Sequence, residues 1–334
     1  MSQAGEKVVD ALFRDVDRPD APGAAAIVIK EGTPLFAKGY GLADLEKKIP
    51  CTTNTNFRLA SVTKQFTAMA MLILAEQGKL SLQDRLPKFF PEFPAYGEAI
   101  SLHHLLTHTS GLADYEDHIL DGTTIPLSDR DVLIILRQQS KTDFPPGSQF
   151  HYSNSAYALL ALIVEKVSGK TFPAFLRENI FDPLSMTNSI AYVAGRSCVP
   201  NRAFGYANGT SGWELSDQSV TSAVLGDGGI YSSVADLFKW DQALYTEKLI
   251  SRKMLDDVFT AHSSQSDFEG SGYGYGWYVG NFRETKRLWH YGSTCGFSTR
   301  IERFPDRRFS VIVLTNRRDA EISRIVERLI ELFW

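Results

Sequence analysis

Strand-like patterning sits at the two ends of this chain, and the stretch between them reads mainly as helix. Near the start, "GAAAIVIKEG" and "PLFAKGYGLAD" are short, partly β-branched and bounded by glycine, which predicts a pair of strands. Near the end, "YGYGWYVG", "RLWHYG" and "GFSTRIERFPDRRFSVIVLTN" repeat the pattern, with "PDRR" as a hairpin turn. Helical spacing flanks both groups. Val8, Val9, Leu12, Phe13 and Val16 precede the first, and Ile322, Ile325, Val326, Leu329, Ile330 and Phe333 follow the last. The two ends are therefore expected to pack on one sheet, an α/β lobe made of residues 1–60 and 201–334. Residues 61–200 are expected to form a mostly helical lobe, with the site in the cleft between them.

The helical block opens with "FRLASVTKQFTAMAMLILAEQGKL". Its apolar run predicts a buried helix stopped near Gly78, and "SLQD" at Ser81 reads as a new start. "NSAYALLALIVEKVSG" predicts another helix, ended by Gly169.

Several function classes drop out on composition. The net charge is −4 with no long run of one sign, unlike the basic face of a nucleic-acid binder or a polybasic membrane patch. The longest apolar stretch, Phe66 to Ala75, is too short to span a bilayer. The first residues lack a basic region followed by an apolar one, so the sequence as written reads as cytoplasmic; a removed leader would make it periplasmic or secreted. Three cysteines, Cys51, Cys198 and Cys295, give neither a disulfide framework nor a zinc knuckle. Cys51 and Cys198 read as buried free thiols. "SGKT" at 168–171 resembles the end of a P-loop, but Val164 stands where its first glycine belongs. Gly-x-Ser-x-Gly and His-Glu-x-x-His are both missing. His104 and His108 in "HHLLTH" have zinc-ligand spacing, without an acidic partner inside the motif. Structural roles are the more frequent use of such histidines, and no metal is expected.

The single Ser-x-x-Lys, Ser61 and Lys64, is more specific. A chain of this length carries about one such pair by chance, and a helix cap beside a solvated lysine would explain it. Three residues apart on a helix, however, the two side chains share a face. A lysine that enters a dry apolar run loses its proton more easily. A serine at a helix start also has free backbone N–H groups nearby, which suit a developing oxyanion.

Three segments in order decide between these readings: "FRLASVTKQF", "HYSNSAYALL" and "LWHYGSTCGF". Together they resemble the penicillin-binding, serine β-lactamase-like family on its class C side. That group includes D-alanyl-D-alanine carboxypeptidases, D-amino-acid peptidases and β-lactamase-fold esterases. The likeness runs from about Asp10 to Asn316, with "SLHHLLTHTSGL", "GDGGIYSSVADLFKW" and "GYGYGW" as further matching segments. Each motif alone is weak, and Tyr206-Ala207-Asn208 is a second Tyr-x-Asn.

The resemblance implies an antiparallel sheet flanked by helices beside a helical lobe. It implies Ser61 as nucleophile, Lys64 as its proton partner and Tyr152 as second base. A tyrosine needs a neighbouring cation such as Lys64 to act as a base near neutral pH. Asn154 would hold Lys64 and meet the substrate's acyl-side amide. The oxyanion would sit between the backbone N–H groups of Ser61 and Ser293. Taken without the resemblance, Tyr152 reads as a core aromatic and Asn154 as a cap.

One departure affects specificity. Where class C enzymes resemble Lys-Thr-Gly, this chain has His290, Tyr291 and Gly292. A lysine is a permanent cation for a substrate carboxylate, whereas a histidine is charged only part of the time near neutral pH. Tyr291 adds bulk to the cleft edge. Cys295 falls close to this edge, so a bulky thiol reagent is expected to block the site. No Glu-x-x-Leu-Asn segment is present, which favours tyrosine-type deacylation.

The expectation is a serine hydrolase forming an acyl-enzyme on small esters, peptides or amides, with weak β-lactam hydrolysis at most and no cofactor. Its rivals are a dedicated class C-like β-lactamase and a penicillin-binding-like sensor or binding module that deacylates slowly or not at all. Oligomeric state is not legible in the sequence.

Overall fold

The computed structural model describes residues 3–263 and 265–334. Helix α1 (Gln3–Leu12) leads into strands β1 (Ala24–Lys30) and β2 (Thr33–Tyr40). Helices α2 (Lys64–Glu76), α3 (Leu102–Leu106), α4 (Asp129–Arg137) and α5 (Asn154–Ser168) come from the middle of the chain, and a short helix, α6 (Leu225–Gly228), follows them. Strands β3 (Gly272–Tyr273), β4 (Tyr278–Phe282), β5 (Thr285–Thr294), β6 (Phe297–Phe304) and β7 (Phe309–Thr315) then precede helix α7 (Ile322–Phe333).

The main sheet has seven strands in the order β3-β4-β5-β6-β7-β1-β2, and every pairing is antiparallel. Ala24 faces Thr315 and Lys30 faces Phe309, so the two ends of the chain are joined strand to strand. The composition of β1 follows from its place. Successive residues in a strand point to opposite faces, and both faces are covered here. Ala25, Ile27 and Ile29 enter a core shared with α2 and α5. Ala24, Ala26 and Val28 enter a second core with Val9 and Phe13 on one side and Val326, Leu329 and Ile330 of α7 on the other.

Helix α2 has no polar face. Every side chain from Lys64 to Leu74 is buried, as expected of a helix that runs through the interior. Phe66 packs between Phe181 and Trp240, and its burial is worth about 2–3 kcal/mol. Gly78 (φ 69°) follows the end of α2, and Gly169 (φ 71°) caps α5 in the left-handed conformation, which glycine adopts without steric cost.

Three local expectations are corrected. Helix α1 ends at Leu12, and a turn rather than helix brings Phe13 and Val16 into the core while Val8 stays exposed. Ser81 opens a turn, in which the Asp84 carboxylate accepts the Ser81 N–H at 2.8 Å. The next helix waits until Leu86, with Pro87 in its first turn, where proline's missing N–H costs nothing. Cys51 is buried, but Cys198 is exposed because it lies in an irregular surface segment.

Candidate active site

Ser61 lies in a short 3-10 turn, Ala60–Thr63, that runs directly into α2. The turn is tied down on several sides. The Leu59 N–H donates to the Ile230 carbonyl at 2.8 Å, and the Thr299 hydroxyl donates to the Leu59 carbonyl at 2.7 Å. Ala60 is held at φ 48°, a conformation that costs a side-chain-bearing residue about 1–2 kcal/mol. Strand β5 packs against this turn. Gly292 permits the approach, because a Cβ there would collide with the Leu59 carbonyl.

Lys64 begins α2 with its side chain fully buried. Its ammonium has three donors and three partners: Ser61 Oγ at 3.2 Å, Asn154 Oδ1 at 2.7 Å and the Asp227 carbonyl at 3.0 Å. Burial pushes its pKa down to about 8, against the opposing pull of the carboxylates of Asp227, Asp114 and Glu116. Near neutral pH the side chain is mostly charged, with an accessible neutral fraction.

Asn154 is the first residue of α5, after the cap Ser153, whose hydroxyl accepts the Ala156 N–H. Its amide is oriented from both ends. Oδ1 faces Lys64, and Nδ2 donates to Glu116 Oε1 at 3.1 Å. Glu116 comes from a one-turn 3-10 helix, Tyr115–His118, too short to show a period in the sequence. The Asp227 contact uses a backbone carbonyl, which no side-chain motif encodes.

Tyr152 places its ring under Lys64, with Nζ 4.8 Å from the ring centre. Its hydroxyl is buried and makes no hydrogen bond. Burial holds its pKa well above the ordinary tyrosine value, and the nearby Ser61 hydroxyl offsets this only in part. The neighbouring cation that a tyrosine base needs is present but does not bring this resting pKa down. The cation sits over the ring face, desolvation dominates, and Tyr152 rests protonated.

His290 is also corrected. It is fully buried, with Nδ1 at 2.8 Å from the Tyr291 carbonyl and Nε2 at 2.9 Å from the Tyr273 hydroxyl. A carbonyl only accepts, so Nδ1 carries the proton and Nε2 accepts from Tyr273. Burial, helped by the charge of Lys64, lowers its pKa to about 3. His290 is neutral at working pH and faces Tyr273 rather than solvent.

The rest of β5 lines the edge of the site. Tyr291 is half-exposed and stacks on Tyr278, Gly292 is buried, and Ser293 is exposed. Strand β4 pairs with β5 only as far as Trp289, so from His290 to Thr294 that side of β5 has no strand neighbour. Cys295 occupies the tight turn between β5 and β6 at φ 47°. The second Tyr-x-Asn lies apart, in a small hairpin of Tyr206–Gly209 with Gly212–Leu215.

His104 and His108, the pair with zinc-ligand spacing in "HHLLTH", are engaged separately. His104 accepts the Ser101 N–H in a capping box at the start of α3, and His108 accepts the Ser153 N–H at 3.0 Å. Among the described residues no helix is long and apolar enough to cross a membrane.

Comparison with known proteins agrees with this fold. A family model described as Beta-lactamase matches residues 9–332. Penicillin-binding protein 4* of Bacillus subtilis (strain 168) is 31% identical over 349 residues, covering 99% of this chain and 76% of that protein. Other curated relatives are spanned over 61–66% of their length. The octameric penicillin-binding protein homologue from Pyrococcus abyssi superposes with a TM-score of 0.85 at 30% identity, over 98% of this chain and 76% of that one. The D-amino acid amidase from Ochrobactrum anthropi SV3 shares the fold, with a TM-score of 0.84 at 22% identity over 99% of this chain and 98% of that one. On a match that spans nearly its whole length, the chain belongs to the beta-lactamase family, serine hydrolases of the penicillin-binding-protein fold.

Proposed function

We propose that this protein hydrolyses small, uncharged esters or amides through an acyl-enzyme on Ser61. The observation that carries the reading is the buried Lys64, bonded to Ser61 Oγ, with its pKa lowered by desolvation. In the neutral form Lys64 takes the Ser61 proton as Oγ attacks the carbonyl carbon. Tyr152, protonated at rest, gives its proton to the leaving oxygen or nitrogen and is reprotonated by Lys64. Deacylation reverses the relay: a water proton passes through Tyr152 to Lys64, and Ser61 recovers its own. The backbone N–H groups of Ser61 and Ser293 hold the oxyanion, and Asn154 meets the acyl-side amide.

Charge favours esters and amides over penicillins as turnover substrates. A neutral His290 offers no cation to a carboxylate, while Glu116 and Asp114 add negative charge beside Lys64. A second reading, a penicillin-binding protein that stays acylated, draws on the raised pKa of Tyr152, which weakens it as a deacylating base. A chromogenic short-chain ester and a fluorescent penicillin separate the two. Ester turnover lost in Ser61→Ala supports the hydrolase. A stable stoichiometric penicillin adduct without ester turnover supports the binder. Unchanged hydrolysis in Ser61→Ala would refute both.

A further inference from the structure

His108 belongs to a motif that the proposed chemistry leaves unused, yet it is placed with unusual care. It follows α3, is fully buried, and holds φ at 56°, a region that only a few per cent of non-glycine residues occupy, histidine among the more frequent. Both backbone N–H groups that flank Tyr152 end on it. The His151 N–H donates to the His108 carbonyl at 2.9 Å, and the Ser153 N–H donates to its Nδ1 at 3.0 Å. The imidazole ring lies 4.2 Å from the Tyr152 ring, tilted by 32°. Main chain continues the lacing beyond His108, towards the segment ahead of His151. The Gly147 N–H donates to the Thr109 carbonyl, and the Asp143 N–H to the Gly111 carbonyl.

The hydrogen-bonding logic fixes the state of the ring. An amide N–H only donates, so Nδ1 must offer a lone pair and the proton sits on Nε2. Nε2 is buried with no hydrogen-bond partner. A protonated ring would turn Nδ1 into a donor facing the donor of Ser153 and break the clamp. Burial, with the charge of Lys64 nearby, keeps the ring neutral. Since Nε2 reaches no polar group, the ring exchanges no proton with the reacting atoms.

We propose that His108 is a positioning residue: it clamps the backbone on both sides of Tyr152 and thereby sets the place of the Tyr152 hydroxyl relative to Ser61. The inference rests on the hydrolase reading, in which Tyr152 relays the proton.

The test uses ester hydrolysis by three variants of His108, each in the wild-type and the Tyr152→Phe background. His108→Asn keeps an acceptor at the position of Nδ1 and tolerates positive φ; its kcat should stay within about threefold of wild type. His108→Gln carries its acceptor one bond too far, and His108→Leu has none. Both should lower kcat by about 10- to 100-fold, with KM changed by less than about twofold, the pattern of a misplaced catalytic group. In the Tyr152→Phe background these losses should shrink to less than about threefold, because the group being positioned is already gone. Equal losses in the two backgrounds, or equal rates for His108→Asn and His108→Gln, would overturn the proposal. If His108→Leu fails to melt cooperatively, the Asn and Gln pair decides. Unchanged turnover in Tyr152→Phe itself would instead remove the relay on which the inference stands, a separate failure.

Discussion

Lys64 Nζ and Asn154 Oδ1 lie 2.7 Å apart in a partly buried contact, and that bond joins the first residue of α2 to the first residue of α5. Lys64 must be neutral to accept the Ser61 proton, and burial lowers its pKa to about 8. The fraction of neutral lysine grows as pH rises through that value. Ester kcat/KM should therefore climb from pH 6.5 to a plateau above about 9. Lys64→Arg places a group that never deprotonates at the same position. It should cost about 10³-fold or more at every pH. A flat pH–rate profile in the wild type would remove Lys64 as the base.

The neutrality of His290 has a consequence for stability. Its folded pKa is about 3 and its ordinary value 6.5. Between these values the unfolded chain binds a proton that the folded chain refuses, so stability is complete above about pH 6.5 and falls as pH drops. At pH 5 the loss from this one ring should reach about 2 kcal/mol, at about 1.4 kcal/mol per pH unit. His290→Gln keeps a donor for the Tyr291 carbonyl and an acceptor for the Tyr273 hydroxyl but does not titrate. Urea unfolding at pH 7 and pH 5 should show a drop smaller by about that amount in His290→Gln. An equal drop would mean that His290 already carries its proton in the folded state.

Gly292 lets β5 approach the Ser61 turn, and Ala at this position would press on the Leu59 carbonyl. Backbone, not a flexible side chain, has to move, and the Ser61 turn moves with it. Misplacement of a nucleophile by about 1 Å is worth about 10²-fold in rate. Gly292→Ala should lose about 10- to 100-fold in kcat with a smaller change in KM. Ser293→Ala leaves the neighbouring backbone N–H in place and should stay within about threefold. A Gly292→Ala enzyme with wild-type kcat would show that β5 does not set the geometry of Ser61.

How much of this was legible before the structure depends on what each residue uses. Ser61 and Lys64 stand out by helical spacing ahead of an apolar run, whereas Asn154 stood out only through the three motifs in order and otherwise read as a cap. The antiparallel sheet was legible because alternate residues of β1 serve two cores, which leaves a short apolar run bounded by glycine. Asp227 was hidden because it acts through a carbonyl that any residue possesses. Glu116 was hidden because its single 3-10 turn is too short to show a period. For His290 and Tyr152 the identity was visible but the protonation state was not. That state is decided by burial and by partners such as Tyr273, 17 residues away in sequence from His290.

Glu116 gives the sharpest test of substrate charge. Its carboxylate accepts from Asn154 Nδ2 and raises the pKa of Lys64, so it stands where the acyl side of a substrate would lie. Two unit charges about 4 Å apart interact by about 1 kcal/mol in water and more where solvent is partly excluded. A penicillin carries a carboxylate into this field, and a simple ester does not. Glu116→Gln keeps an acceptor for Asn154 and deletes the charge. Penicillin acylation of Ser61, followed by intact-protein mass spectrometry, should accelerate by about 5- to 30-fold. Ester kcat/KM should change by less than about threefold at pH 9, where Lys64 is neutral in both proteins. Below pH 8 the ester rate should rise slightly, because removing the carboxylate lowers the Lys64 pKa further. A gain for the ester equal to that for penicillin, measured at pH 9, would mean that Glu116 acts on the position of Asn154 and not on substrate charge.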